Sequence, residues 1–151
     1  MTTGSASVEI DRDPAAVFAA IADVTRIGEW SPECIAARWV GGATGPAVGA
    51  KFEGDNRFTM LGLTLKRWTT TSEVTACVAG EVFAFVAEGY TTWTYRLEPS
   101  GAGTRVTESY EYAPTRGAQG FFYDVVMRRP AVMVKGMQQT LERVKRSLES
   151  R

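Results

Sequence analysis

The sequence predicts an α+β fold in which a curved antiparallel sheet of seven strands wraps around one long C-terminal helix. After Pro130 the chain contains no proline, and its apolar residues recur at helical spacing on a stripe about 100° wide. Upstream, segments of alternating apolar and polar residues are separated by glycine-containing turns, a pattern typical of antiparallel strands. A long helix packed on such a sheet either fills a core or covers a cavity.

Two short helices follow the first strand, which is predicted at residues 5–10. Asp13 is expected to cap the first helix, with Pro14 at its first helical position. Asp23 is expected to cap the second helix, which ends near Gly28. Six further strands are predicted at residues 35–40, 50–58, 66–77, 81–88, 91–98 and 104–112, with a hairpin tip at 60–65.

The final helix is expected to begin near Pro130 and, with about 20 residues at 1.5 Å each, to be about 30 Å long. A separate helical segment is predicted at residues 120–129, because Pro130 breaks or kinks a helix there. The apolar stripe of the final helix consists of Met133, Val134, Met137, Leu141, Val144 and Leu148. The opposite side carries Lys135, Glu142, Arg146 and Glu149.

The composition is that of an ordinary globular protein. The 151 residues are 44% apolar and suit one domain over residues 1–151. Lys plus Arg and Asp plus Glu number 17 each, so no overall field attracts nucleic acid. The longest apolar run, residues 15–22, is too short to span a bilayer, and no signal peptide is recognisable. We expect a cytoplasmic monomer or homodimer with no nucleic-acid partner and no stable membrane insertion.

Basic residues are concentrated towards the C-terminus, where seven of them and two acidic residues follow from Arg128 onward. One interpretation is a solvated helix face whose cations interact favourably with the helix dipole. The other is a site for an anionic surface.

The chain contains no histidine. Catalytic triads, histidine-ligated zinc and an imidazole general base are therefore excluded. Cys34 and Cys77 form neither a CxxC pair nor a disulfide framework, and are interpreted as small buried apolar residues. No phosphate-binding glycine motif occurs. We expect no metal and no cofactor.

Glu108 is the sharpest single candidate for a functional residue. Alternation places it on the face of Val106 and Tyr110, so it would point inward. A buried carboxyl must be hydrogen-bonded, neutral or reached by water. Tyr95, or an inward Thr70 or Ser72, could be its partner. Alternatively, a bulge shifts the register and Glu108 reaches solvent.

The remaining candidates are mainly aromatic residues on the same predicted face. Asn56 is either a satisfied core amide or a ligand contact, and Trp30 either caps the core or lies at a cavity entrance. The rings could form a solid core, or could leave gaps against an adaptable Met surface. The full set of candidate ligand contacts is Trp30, Phe52, Asn56, Phe58, Trp68, Thr70, Phe83, Phe85, Trp93, Tyr95, Glu108, Tyr110, Met133 and Met137.

Several local sequences, in this order, resemble the START-like, Bet v 1-like superfamily with the helix-grip fold, and in particular its bacterial polyketide cyclase/dehydrase (SRPBCC) branch. They are IDRDPAAVF at 10–18, EWSPE at 29–33, TWTYRLEP at 92–99, GTRVTE at 103–108 and KGMQQTLERVK at 135–145. The resemblance implies a ligand-sized cavity between the sheet and the final helix. It does not decide the activity, because this superfamily includes both carriers and enzymes.

Two hypotheses follow from this resemblance and from the candidate residues. The first is a noncatalytic protein that binds a small hydrophobic molecule, such as a lipid, an aromatic compound or a polyketide, and orients it through polar groups. The alternative is an aromatic polyketide cyclase/dehydratase, in which Glu108, Tyr95 or Tyr110 provides acid–base catalysis. Regulation through a protein partner is a third, weaker option.

Overall fold

The computed structural model describes residues 1–113 and 129–150, and within these ranges a seven-stranded antiparallel sheet has the order β1-β7-β6-β5-β4-β3-β2. The strands are β1 (Thr2–Ile10), β2 (Cys34–Val40), β3 (Lys51–Met60), β4 (Leu63–Val78), β5 (Val82–Ala87), β6 (Thr91–Ser100) and β7 (Gly103–Tyr112). Helix α1 (Pro14–Ala22) and a 3₁₀ helix (Val24–Glu29) follow β1, and helix α2 (Arg129–Glu149) ends the fold. The predicted helix-grip architecture is confirmed. The helical segment predicted at 120–129 lies outside the described residues, except for Arg129, where α2 begins.

The N-terminal helices are confirmed, although only one of the two expected caps forms. Asp23 Oδ1 accepts a hydrogen bond from the Thr25 backbone N–H at 3.1 Å. Asp13 occupies the cap position of α1 with extended backbone, but its side chain makes no capping hydrogen bond, so this part of the prediction is wrong. Pro14 at the first position of α1 supplies a preset φ that favours the start of the helix.

The β3–β4 hairpin is longer and tighter than predicted. β3 continues to Met60 and β4 begins at Leu63, so that only Leu61 and Gly62 form the turn. Both have positive φ angles, 53° and 79°, as in the two-residue turns that match the twist of a hairpin. The predicted tip at 60–65 is therefore mostly strand.

Helix α2 packs most closely on β1 and also contacts β7. Met133, Met137, Leu141, Val144 and Leu148 are buried, as the stripe predicts. Val134 is exposed and was wrongly assigned, because it lies at the edge of the stripe. Thr140 is buried instead, and its hydroxyl donates to the Gly136 carbonyl oxygen at 2.9 Å.

The C-terminal end of α2 is held against the end of β1. Lys145 Nζ donates to the Glu9 carbonyl oxygen at 2.6 Å and to Glu149 Oε2 at 2.7 Å. Glu149 Oε2 also accepts a hydrogen bond from the Asp11 backbone N–H at 2.8 Å. Glu149, which was assigned to the polar side of the helix, is therefore bound to the end of β1 and does not simply face solvent. These contacts favour a structural role for Lys145 over an anion site.

The buried residues form two apolar clusters under the helix. The larger cluster contains residues of α1, of β5 and of the C-terminal part of α2, among them Val17, Phe83 and Leu141. The smaller consists of Tyr110, Tyr112, Met133 and Met137, and Ala6 and Trp93 pack against both clusters. No helix in the described part of the chain is long and apolar enough to cross a membrane.

Candidate functional site

A carboxyl group is buried on the concave face of the sheet. Glu108 lies in the middle of β7 with 4% of its surface exposed. Its direct cross-strand neighbours are Ala6 of β1 and Tyr95 of β6, and neither pairing of β7 contains a register shift. The inward orientation predicted from alternation is confirmed, and the alternative of a bulge is wrong.

Among the residues that the structure describes, Glu108 has one hydrogen-bond partner. The Tyr95 hydroxyl donates to Glu108 Oε2 at 2.8 Å. Neither Thr70 nor Ser72, the other partners considered, hydrogen-bonds to the carboxyl. Glu108 Oε1 is buried and has no partner among residues 1–113 and 129–150. One carboxyl oxygen is therefore hydrogen-bonded, and the other is buried without a partner in the described part of the chain.

Burial controls the protonation of this pair. Loss of solvation raises the pKa of Glu108 to about 8, although the hydrogen bond from Tyr95 acts in the opposite direction. Burial and the adjacent carboxyl raise the pKa of Tyr95 well above its ordinary value. At neutral pH the pair is therefore a phenol bonded to a mostly protonated carboxylic acid, and not to a carboxylate.

A second set of polar side chains lies on the neighbouring strands β2, β3 and β4 of the same sheet. The Asn56 Nδ2 donates to the Gly54 carbonyl oxygen and to Thr70 Oγ1, both at 3.1 Å, so this amide is satisfied within the fold. Cys34 pairs with Asn56 across the strands and is only half-buried, as is Cys77, so both cysteines are less buried than predicted. Burial raises the pKa of the Cys34 thiol to about 11, which makes it a poor nucleophile at neutral pH.

The aromatic residues form a packed layer beside this polar pair. Phe52 and Phe85 have ring centroids 5.0 Å apart, and Phe83 lies 5.9 Å from Phe85. Trp93 packs against the smaller cluster, with its ring 5.8 Å from that of Tyr110. These are the spacings of paired rings. The solid-core interpretation therefore applies to the phenylalanines, which lie in the larger cluster.

Three of the predicted contacts lie at the margin of this face or beneath it. Phe58 shares the face of Phe52 but is 37% exposed, so its expected place in the inner lining is wrong. Trp68 is half-buried. Trp30 is buried in the larger cluster with the Arg26 guanidinium 4.9 Å from its ring, which favours the role of capping the core.

Three further candidates, Tyr110, Met133 and Met137, belong to the smaller cluster. The Tyr110 hydroxyl donates to the Pro130 carbonyl oxygen at 3.4 Å and thereby connects β7 to the start of α2. Met133 and Met137 cover Tyr110 from the helix. Glu108 thus lies on its strand between Val106 of the larger cluster and Tyr110 of the smaller one.

Sequence reasoning missed Ala6 as part of this site. Ala6 lies opposite Glu108 and packs against both clusters, and its side chain is small. Its alternation with Val8 and Ile10 was the available signal. Two open depressions are lined by described residues, one by the loop at 41–51 and one around Glu9 and Glu149, and neither includes Glu108. The described residues contain no cluster of three or more potential metal ligands.

Comparison with known proteins gives a consistent family assignment. Residues 1–149 match the family described as polyketide cyclase/dehydrase and lipid transport. No curated protein matches the chain significantly. Among solved structures, the chain is similar to the polyketide cyclase-like protein Cgl2372 of Corynebacterium glutamicum, with 34% identity, a TM-score of 0.64, and coverage of 97% of this chain and 91% of that one.

Two more distant structures share the fold. An AHSA1-like protein of Aeromonas hydrophila is 21% identical, with a TM-score of 0.67 and coverage of 99% of this chain and 93% of that one. The protein CV1439 of Chromobacterium violaceum is 17% identical, with a TM-score of 0.71 and coverage of 97% and 96%.

Proposed function

The chain belongs to the polyketide cyclase/dehydrase and lipid transport family, and on that premise we propose that it binds one small hydrophobic molecule carrying a hydrogen-bond acceptor. The observation that carries this proposal is the buried Glu108 Oε1, which has no partner within the described residues. Buried polar groups are nearly always paired, so an unpaired one needs an explanation. A bound acceptor at this position supplies one.

The protonation state decides which ligand group fits. Because the Tyr95 hydroxyl donates to Oε2 and the pKa of Glu108 is about 8, a neutral acid can present its O–H from Oε1. A ketone, ester or hydroxyl oxygen would accept this hydrogen bond. An anionic ligand group would be disfavoured, because it would lose its solvation at a buried site.

The surroundings of Glu108 favour an apolar molecule. Its neighbours on the same face include Ala6, Val106 and Tyr110, and the helix brings Met137 to the adjoining cluster. Contact with these groups would supply affinity in proportion to the apolar area removed from water. The single polar anchor would set the orientation of the molecule.

A matched ligand pair tests the anchor directly. Acetylnaphthalene and isopropenylnaphthalene have nearly the same shape. The first has a carbonyl oxygen where the second has a methylene group. Each is measured as a competitor of the fluorescent naphthyl ketone prodan. We expect wild type to prefer the ketone about tenfold, as a hydrogen bond of about 1.4 kcal/mol predicts.

Two variants complete this experiment. Glu108→Leu should abolish the preference for the ketone while retaining the hydrocarbon, and native mass spectrometry should show one molecule bound per chain. Ser109→Ala, on the opposite face of β7, is the control and should keep the preference. Equal binding of the two naphthalenes by wild type would contradict the anchor, and binding of neither would contradict the proposal.

The cyclase hypothesis takes a specific form at this site. Since the pKa of Glu108 is about 8, its carboxyl would act near neutral pH as a general acid towards a ketone oxygen. Cyclisation of a poly-β-ketone substrate should then decline above about pH 8. Glu108→Gln should lower the rate by roughly 10²–10⁴, and unchanged rates would remove this alternative.

The cellular location is also part of the proposal. Cys34 and Cys77 are both free thiols, which supports a reducing compartment and hence the cytoplasm. Cell fractionation with a tagged chain tests this, and recovery in a secreted fraction would contradict it.

A further inference from the structure

The end of the β3–β4 hairpin carries an unusual density of exposed apolar side chains. Leu61 is 95% exposed and Leu63 is 67% exposed. The others are Phe58, Met60 and Leu65. We call residues 57–67 the hairpin tip. Scattered apolar residues are normal on protein surfaces, whereas a contiguous set on one projecting element marks an interaction site.

The backbone conformation at Leu61 is one that favours residues other than leucine. Leu61 has a φ of 53°, in the left-handed region that bulky side chains rarely adopt. Asn, Asp or Gly is the usual residue at such a turn position. A leucine there places an apolar side chain at the outermost point of the hairpin despite the conformational cost.

Positive charge surrounds these apolar residues. Arg57 and Arg67 are directly opposite each other on β3 and β4, and like charges in this arrangement are destabilising. Neither forms an ion pair with any residue that the structure describes, whereas Arg38 and Arg105 elsewhere on the sheet do. Lys66 adds a third cation, 5.5 Å from the Trp68 ring, and the hairpin tip contains no acidic residue.

We propose that the hairpin tip docks on an anionic lipid surface. The apolar side chains would enter the interfacial region, and the three cations would interact with the headgroups. Charge decides between this occupant and a second copy of the chain. Two identical hairpin tips packed together would bring the unpaired Arg57 and Arg67 of both copies into proximity, whereas an anionic membrane neutralises them.

The predicted attachment is weak, peripheral and sensitive to salt. Each basic residue near an anionic surface is worth about fivefold in partitioning, and this effect decreases as salt shortens the screening length. The hairpin tip contains neither Glu108 nor the residues that surround it, so vesicle binding and ligand binding can be tested separately.

Sedimentation with vesicles tests the apolar part of the proposal. The vesicles contain phosphatidylglycerol and phosphatidylcholine in equal amounts, or phosphatidylcholine alone. We expect binding to the anionic vesicles only. Binding by Leu63→Asp should be weaker by at least about tenfold, because the contact of the leucine with the lipid is lost and a negative charge that the headgroups repel is added. Val48→Asp is the control, since Val48 is equally exposed but lies in the loop at the other end of β3.

Charge reversal tests the electrostatic part with a variant that should not unfold. Arg67→Glu removes the repulsion with Arg57 and creates an opposite-charge pair, so thermal stability should stay equal or increase. Binding to anionic vesicles should nevertheless decrease by about tenfold or more, because two units of charge change. Arg96→Glu, an exposed cation on β6, should change binding much less.

Three outcomes would overturn the proposal. One is the absence of binding to anionic vesicles at about 0.1 M salt. Another is equal loss of binding in Val48→Asp and Leu63→Asp. The third is a dimer in light scattering that Leu63→Asp dissociates while vesicle binding is absent, which would make a second copy the occupant. Unaltered prodan binding in Leu63→Asp would show that the interior site is intact in each case.

Discussion

Replacement of Glu108 by Gln should remove most of the pH dependence of stability near neutral pH. The folded carboxyl has a pKa of about 8, raised by burial from an ordinary value of 4.5. Between these two values the folded state holds a proton that the unfolded state has lost. Stability therefore decreases as pH increases through this interval, and becomes level above about pH 8.

The magnitude follows from the width of this interval. At about 1.4 kcal/mol for each pH unit, wild type should lose on the order of 4 kcal/mol between pH 5 and pH 8. Folded domains are typically stable by roughly 5–15 kcal/mol, so this loss would be a substantial part of the total. No histidine titrates in this interval, because the chain contains none. The lowered pKa values of Glu9, Asp55 and Glu149 affect only more acidic solutions.

Urea denaturation followed by tryptophan fluorescence at pH 5, 6.5 and 8 measures the effect. Glu108→Gln leaves an unpaired amide N–H, which costs roughly 1–3 kcal/mol at every pH. The variant should therefore be less stable than wild type at pH 5 and more stable at pH 8. Parallel profiles for the two proteins would show that Glu108 is ionised in the folded state, and would refute the reasoning.

Three further predictions concern the same region. Met137→Asp should lower stability by roughly 3–5 kcal/mol, because it buries an unpaired charge, whereas Val132→Asp on the exposed side of α2 should have little effect; equal thermal melts would contradict the packing of the helix. Tyr95→Phe removes the hydrogen bond that lowers the pKa of Glu108, so carboxyl NMR titration should show a pKa above that of wild type, and an unchanged value would contradict the pairing. Ala6→Leu places a bulky side chain opposite the carboxyl, so prodan affinity should decrease in a protein with a native circular dichroism spectrum, and full affinity would place the ligand elsewhere.

The orientation of Glu108 could be predicted from the sequence because β7 has an uninterrupted alternation. A period of two without a bulge determines the face of every residue from Thr104 to Tyr112. The choice among the candidate hydrogen-bond partners of Glu108 could be narrowed for a similar reason. Consecutive strands of a meander are neighbours, so Tyr95 on β6 adjoins Glu108, whereas Thr70 on β4 is two strands further away.

Other features depend on which part of a face is covered, and alternation does not contain this information. Phe58 has the correct phase, but it lies near the turn end of β3 and is exposed there. Val134 similarly lies at the edge of a correctly predicted stripe. The close pairing of Phe52 with Phe85 depends on side-chain packing across three strands, which no local pattern specifies.

The buried acid is best understood by comparison with the residues that could replace it. If its only purpose were to accept the Tyr95 hydroxyl, an amide would accept the same hydrogen bond without the loss of stability that ionisation causes near neutral pH. Both an amide and the neutral acid would present a donor at the position of Oε1, and the acid differs in that its donor is an O–H whose proton the apolar surroundings retain. Enzymes use a neutral carboxylic acid in an apolar site to donate a hydrogen bond to a ligand oxygen. An acceptor bound at Oε1 would account for an acid at this position, since stability is often given up where a residue serves binding.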